Sequence, residues 1–162
     1  MISLKKLTSK DLDYFWTWGS DSKVTQNLFW DAYSSKEAAA KFLNEIAETH
    51  PYFKSICIDG KPIGAITIDQ GKGRGIIRAE LGYVLARNYW NKGITTKAVA
   101  LAIENAFKEL DILRIEAFVD PENMASIRVL EKVGFKKEGY LKNYLVHRGI
   151  IRDRIVYGIT KN

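Results

Sequence analysis

Between residues 77 and 119 the hydrophobic period changes from two to about 3.6 and back to two, and this double change restricts the fold more than any other feature. Ile77, Ala79, Leu81, Tyr83 and Leu85 alternate, which puts Arg78, Glu80, Gly82 and Val84 on the opposite face of a strand. From Thr95 to Leu110 the pattern is helical, with Ala98, Val99, Ala102, Ile103, Ala106, Phe107 and Leu110 on one broad face. Leu113 to Val119 reads as a strand again. A strand, a helix and a strand joined in this way form a crossover unit whose strands run parallel.

The flanks fill out the sheet. Phe53–Ile58 and Ile63–Ile68 read as a hairpin across Asp59-Gly60, and the glycine-rich stretch from Gln70 to Gly75 as the loop that follows. Ser126–Val133 is an amphipathic helix stopped by Gly134, and Tyr140–Val146 with Ile150–Ile159 form a closing hairpin across Gly149. Ahead of the sheet, Thr8 and Asp11 predict a helix over 9–18 with Tyr14, Phe15 and Trp18 on one side. Ser34 and Glu37 predict another, carrying Ala38, Ala39, Phe42, Leu43 and Ile46 and halted near His50-Pro51. A short helix and a loop occupy the residues between.

The expected fold class is α/β: one domain over residues 1–162, with a mixed, mostly antiparallel sheet, a central parallel pair and flanking helices. At 162 residues the chain is long enough to bury a core.

No run approaches the ~18 apolar residues of a spanning helix, and the first residues are charged rather than signal-like, so the expected location is cytoplasmic with no membrane partner. One cysteine, Cys57, and two histidines argue against a disulfide or a metal site, and Cys57 reads as core. His50 and His147 read as exposed turn residues. The net charge of +6 is lopsided: residues 128–162 hold nine Lys and Arg against three Asp and Glu, while the rest is balanced. Arg148, Arg152 and Arg154 read as a solvated hairpin face or as an attractor for an acidic peptide. No RNP, KH or helix-turn-helix signature accompanies the excess, so nucleic acid is not the expected partner.

Ligands of open sheets bind beyond the carboxyl ends of strands, which directs attention to the segment after Leu85. There, Arg87-Asn88-Tyr89-Trp90-Asn91-Lys92-Gly93-Ile94-Thr95-Thr96 passes straight into the long helix. A glycine before a helix N-terminus, with first-turn amides lacking intrahelical partners, makes a cradle for a phosphate; the same residues also make an ordinary helix-entry turn.

Three segments together resemble one family: Glu80–Leu85, Tyr89–Ala98, and Asn123–Gly139 with its run Asn-Met-Ala-Ser-Ile-Arg-Val-Leu-Glu-Lys-Val-Gly-Phe. In this order and spacing they are similar to the GNAT superfamily of acetyl-CoA-dependent N-acetyltransferases, and more narrowly to its ribosomal-protein N-terminal acetyltransferase branch with plant and bacterial relatives. The resemblance covers nearly the whole chain in element order. It implies acetyl-CoA as cofactor, held by Leu85, Trp90, Asn91, Lys92, Gly93, Ile94, Thr95, Thr96, Asn123 and Ser126. It also implies an amine acceptor, either a protein N-terminus or a small amine. Monomer and homodimer are equally open.

The family's loop carries Gln or Arg, two residues, Gly, one residue, then Gly or Ala; here Trp90 takes the first position and Thr95 the last, a departure that narrows the approach to a pyrophosphate. The resemblance further implies Glu80 as general base through a water, with an ion pair to Arg78 as the structural alternative. The N–H near Val84 is implied to polarise the thioester carbonyl.

Relatives place a tyrosine acid where Leu130 stands, which leaves Ser126 as first candidate to protonate the thiolate and Tyr140 or Tyr144 as lesser ones. Asn123 reads equally as a helix cap and as a cofactor contact. Residues 19–33 are an expected lip of the acceptor site. The rival reading is a non-catalytic CoA-binding regulatory module, which shares every motif except a working base.

Overall fold

The computed structural model describes residues 1–162. In chain order the elements are β1 (Ile2–Lys6), α1 (Leu12–Gly19), α2 (Ser22–Thr25), α3 (Lys36–Phe42), β2 (Phe53–Ile58), β3 (Lys61–Gln70), β4 (Arg78–Leu85), α4 (Ile94–Glu109), β5 (Arg114–Val119), α5 (Met124–Val133), β6 (Lys136–His147) and β7 (Ile150–Thr160). The strands form one seven-stranded sheet in the order β1-β2-β3-β4-β5-β7-β6. The crossover expected from the period change is present: β4 and β5 are parallel, through the rungs Arg78↔Arg114, Ala79↔Ile115 and Glu80↔Glu116. The pairs β1–β2, β2–β3, β5–β7 and β6–β7 are antiparallel. No helix is long and apolar enough to cross a membrane.

The chain clusters into two compact units, residues 1–68 with 82–102, and residues 69–81 with 103–162. In the first, helices α1 to α3 close over a core of Leu7, Phe15, Trp18, Val24, Ala39, Leu43, Ala47, Ala65 and Ala86. Phe15 stacks on Phe42 at 5.6 Å and meets Trp18 edge-on at 5.6 Å, geometry that aromatic quadrupoles favour. Gly64 in β3 is required by the packing: a Cβ there would lie 2.3 Å from Val84 O and 3.0 Å from Leu85 Cα. In the second unit Ile112, Ile115, Leu130, Phe135, Ile155 and Tyr157 are buried, and α5 ends at Gly134 with φ +108, the left-handed cap expected of glycine.

Several local readings need correction. Strand β1 was not visible in the sequence: it is a five-residue edge strand with polar residues at three positions and too few apolar ones to display a period. Residues 9–11 form a separate 3-10 turn, so α1 starts at Leu12; Asp11 still accepts from Thr8 N–H at 3.0 Å, as a capping residue should. Tyr14 faces outward at 42% exposure, away from Phe15 and Trp18. The second helix is capped by Ser35 rather than Ser34, through a 3.2 Å bond from Ala38 N–H, and it widens into a π-turn over Leu43–Ala47. Ile77 lies outside β4 and is exposed.

Candidate functional site

The loop between β4 and α4 is built by a few defined contacts. After a 3-10 turn over Arg87–Tyr89, the Trp90 indole N–H donates back to Leu85 O at 2.8 Å and ties the loop to the strand it leaves. Asn91 at φ +59 and Gly93 at φ +71 are both left-handed, an uncommon pair of conformations that reverses the main chain twice within three residues. Lys92 is drawn along the loop, its Nζ donating to Asn88 O at 2.9 Å and lying 5.6 Å from the Tyr89 ring centre.

The N–H of Lys97 closes onto Gly93 O at 3.3 Å, so the N–H groups of Ile94, Thr95 and Thr96 precede the first helical bond and point out of the N-terminal end of α4. A Cβ placed on Gly93 would meet no atom within 4 Å, so the turn that leads into these amides is open at Gly93. An open, amide-lined helix entrance with a positive dipole end fits a pyrophosphate such as that of CoA.

Asn123 and Ser126 stand at the start of α5. Asn123 Oδ1 accepts from Ser126 N–H at 3.2 Å, so the capping reading of Asn123 is realised in the structure. The turn ahead of it is braced by Asp120, which accepts from Arg152 at 2.7 Å and from Arg154 at 3.3 Å, while Arg152 also reaches Glu122 at 2.9 Å. Arg154, only 3% exposed, is therefore an internal strut rather than part of a solvated face; Arg152 is half-buried and Arg148 exposed. Leu130 is core. Of the two tyrosines, Tyr140 donates its O–H to Asp153 at 2.6 Å, and Tyr144 stacks on Phe118 at 5.6 Å. Cys57 is buried, as expected of a core residue. His50 uses its Nδ1 to accept from Tyr52 N–H at 2.9 Å.

Glu80 lies on β4 and is exposed to solvent. Its expected structural alternative, an ion pair with Arg78, is not formed: Arg78 Nε goes to Glu116 at 3.4 Å. Arg114 also binds Glu116 at 3.0 Å and grips Glu138 with two further bonds of 2.9 and 2.5 Å. Both guanidinium groups on this face are thus engaged with other carboxylates. Partial burial, and then the charges of Asp69 and Glu116, push the Glu80 carboxyl above its ordinary range. Asp69 was missed by sequence reasoning because the strand was taken to end at Ile68; in the structure β3 runs on to Gln70. The signal that would have found it is the hairpin register, counted outward across the glycine loop.

In the first unit, the expected lip residues 19–33 contain the short helix α2, and Asp21 at its start binds Arg87 of the β4–α4 loop at 3.0 Å.

Among curated proteins the chain is 31% identical to the uncharacterized N-acetyltransferase p20 of Bacillus licheniformis, over 99% of this chain and 93% of that protein. It is 34% identical to the ribosomal protein uS5-alanine N-acetyltransferase of Escherichia coli K12, over 67% and 57% of the two chains. It is 26% identical to the spermidine N(1)-acetyltransferase of the same organism, over 95% and 83%. The acetyltransferase (GNAT) domain family matches residues 2–136, and the chain belongs to that family of N-acetyltransferases.

Proposed function

We propose that this GNAT enzyme transfers the acetyl group of acetyl-CoA directly to a primary amine, with Glu80 as general base through a water. The main chain and side chains of Trp90–Thr96 hold the cofactor. The observation that carries the reading is the state of Glu80: a solvent-reached carboxylate with raised proton affinity, whose neighbouring arginines are occupied by Glu116 and Glu138. An amine attacks only in its neutral form, and a base whose pKa is lifted toward the working pH removes the ammonium proton more effectively than an ordinary carboxylate. Acetyl-CoA supplies the activated acyl group as a thioester.

The amides of Ile94, Thr95 and Thr96 neutralise pyrophosphate charge, and the Trp90–Leu85 bond keeps Asn91, Lys92 and Gly93 in the shape that presents them. The main-chain N–H of Val84 polarises the acyl carbonyl. The amine nitrogen bonds to the acyl carbon as the carbon–sulfur bond breaks, the ammonium proton passes through water to Glu80, and the thiolate takes a proton from Ser126 or from solvent. With a thiol pKa of ~8.5, departure as the anion is not demanding. Asn123 orders the turn that presents Ser126.

The acceptor is a protein N-terminus or a small amine. Relatives named for a ribosomal-protein alanine and for spermidine match to comparable degrees, so identity alone does not choose between them. The deciding experiment is steady-state thiol release with acetyl-CoA against a panel of peptides and amines, with Glu80→Gln alongside the wild type. Turnover with at least one primary amine, lowered ~10²-fold in Glu80→Gln with acetyl-CoA binding retained, is the expected result. Binding of CoA without turnover of any amine supports the regulatory module instead, and equal turnover by Glu80→Gln removes Glu80 as the base.

A further inference from the structure

Beside Glu80 the same face of the sheet carries an aromatic platform. The parallel ladder sets Glu116 of β5 opposite Glu80 of β4, and Phe118 follows two residues later on β5. Its side chain therefore stands on the Glu80 face, about 6–7 Å farther along the strand. The Phe118 ring is stacked on Tyr144 of β6, with centres 5.6 Å apart and planes 6° from parallel. Phe118 covers one side of the Tyr144 ring, and Tyr144 is still 48% exposed.

Tyr144 is brought there by an irregularity in the hairpin. Leu141 faces Arg154 and Leu145 faces Arg152, so the residues from Lys142 to Tyr144 stand against Asp153 alone. Asn143 takes φ +51, and Asp153 holds the extra chain by accepting Asn143 N–H at 2.7 Å and Tyr140 O–H at 2.6 Å. Counted by alternation from Leu145, Tyr144 belongs to the other face; the bulge re-aims it onto Phe118.

The charges on this face restrict what the platform can receive. Glu116 is paired with Arg78 at 3.4 Å and with Arg114 at 3.0 Å, Glu138 is gripped by Arg114, and Asp120 takes Arg152 and Arg154. Lys136 of β6 is exposed and stands in register with Gly158 and, through it, with Glu116. From Glu80 toward β6, each of these carboxylates already has a guanidinium partner, and a further cation lies beyond them. Asp69 lies on the other side of Glu80, on β3. The remote ammonium groups of a polyamine meet no uncompensated carboxylate in the direction of the platform, whereas a flat apolar group meets an aromatic ring to lie against.

We infer that Phe118 and Tyr144 select the acceptor: an amine with one ammonium group and an aromatic or large apolar group close to it, rather than a polyamine. The inference rests on acetyl transfer taking place at Glu80. The amine is held at Glu80 while its apolar body lies on the exposed side of the Tyr144 ring. A small arylalkylamine and a peptide N-terminus with an aromatic residue in second place both carry this chemistry.

The test is kcat/KM at saturating acetyl-CoA for phenethylamine, ethylamine, spermidine and the peptides Ala-Phe-Ala and Ala-Gly-Ala, on wild type, Tyr144→Ala, Tyr144→Phe and Glu80→Gln. The quantity read is the ratio of kcat/KM between ring-bearing and ring-free partners, which does not depend on how much of a variant is folded. In the wild type this ratio is expected to be about fivefold or more, the size of one aromatic contact, with spermidine below the ring-bearing acceptors. The pair that shows it, amines or peptides, tells the two sources apart. Tyr144→Ala is expected to bring the ratio close to one through a raised KM for the acceptor, and Tyr144→Phe to keep it. Spermidine as the best acceptor, a wild-type ratio near one, or a ratio that survives in Tyr144→Ala would overturn the inference and leave the base reading intact. Glu80→Gln as active as wild type would overturn the base reading instead, and turnover of none of these acceptors would overturn the acetyl transfer on which both stand.

Discussion

Replacing Gly93 with alanine separates the cradle from the scaffold. The residue sits at φ +71, where an L-residue pays for the proximity of its Cβ to its own carbonyl, roughly 1–2 kcal/mol. Nothing else is added to that cost, because the new Cβ meets no atom within 4 Å. For a chain of this size each kcal/mol lowers Tm by roughly 2–4 °C, so the variant should melt only about 2–8 °C below wild type and remain folded at 25 °C. The same Cβ would occupy open space at the turn that leads into the amides of Ile94, Thr95 and Thr96, and on the cradle reading a pyrophosphate must approach main chain closely there. CoA affinity should therefore fall by about tenfold or more, the equivalent of one displaced charge-assisted hydrogen bond.

Isothermal titration of CoA at 25 °C, read beside a melting curve without ligand, gives both numbers. Valine at this position is the poorer probe, since a β-branched residue at positive φ is a genuine outlier and adds strain to the measurement. Unchanged CoA affinity in a folded Gly93→Ala would refute the cradle. A Tm loss far beyond 8 °C would show that Gly93 supports the fold in a way its empty surroundings do not reveal.

Other perturbations follow from the same geometry. Gly64→Ala drives a Cβ to 2.3 Å from Val84 O, main chain that cannot step aside cheaply, and should cost about 3 kcal/mol or more, visible as a depressed Tm or loss of folded protein; an unaltered melt would contradict the strand spacing. Asp120→Asn removes the carboxylate that receives Arg152 and the 3%-exposed Arg154, and should cost about 3 kcal/mol at neutral pH. Burial alone would raise the pKa of Asp120, yet the hydrogen bond from Glu122 N–H and the two guanidinium charges hold it below the ordinary range. Its contribution is therefore present above the unfolded pKa of ~3.9 and is lost as pH falls through the folded value, so the gap between variant and wild type should close in acid. Glu80 has the opposite sign: its folded pKa is raised, so its contribution is complete below ~4.3 and lost as pH rises through the folded value. Glu80→Gln should consequently melt no lower than wild type at pH 7, with the two converging in acid; an early-melting Glu80→Gln would return Glu80 to a structural role.

The parts of this fold that were legible are those in which burial imposes a period. The crossover from β4 through α4 to β5 is written in alternation, then a 3.6 repeat, then alternation, because each element has one buried side. Edge strand β1 has no such imprint, and the π-turn at Leu43–Ala47 changes register inside a helix whose composition is ordinary. The candidate site divides along the same line. The Gly93 turn could be read because a left-handed main chain selects for glycine, although Asn91 at φ +59 carries no comparable mark. The state of Glu80 could not be read, because it depends on which carboxylate each arginine chooses, and only the sheet order brings Arg114 beside Glu116 and within reach of Glu138. Sequence pairs Arg78 with Glu80 by proximity; the structure pairs Arg78 with Glu116, and that exchange of partners makes Glu80 a carboxylate with two acidic neighbours instead of a neutralised one. The partner of each arginine is therefore set by the order of the strands, which the spacing of residues along one strand does not carry.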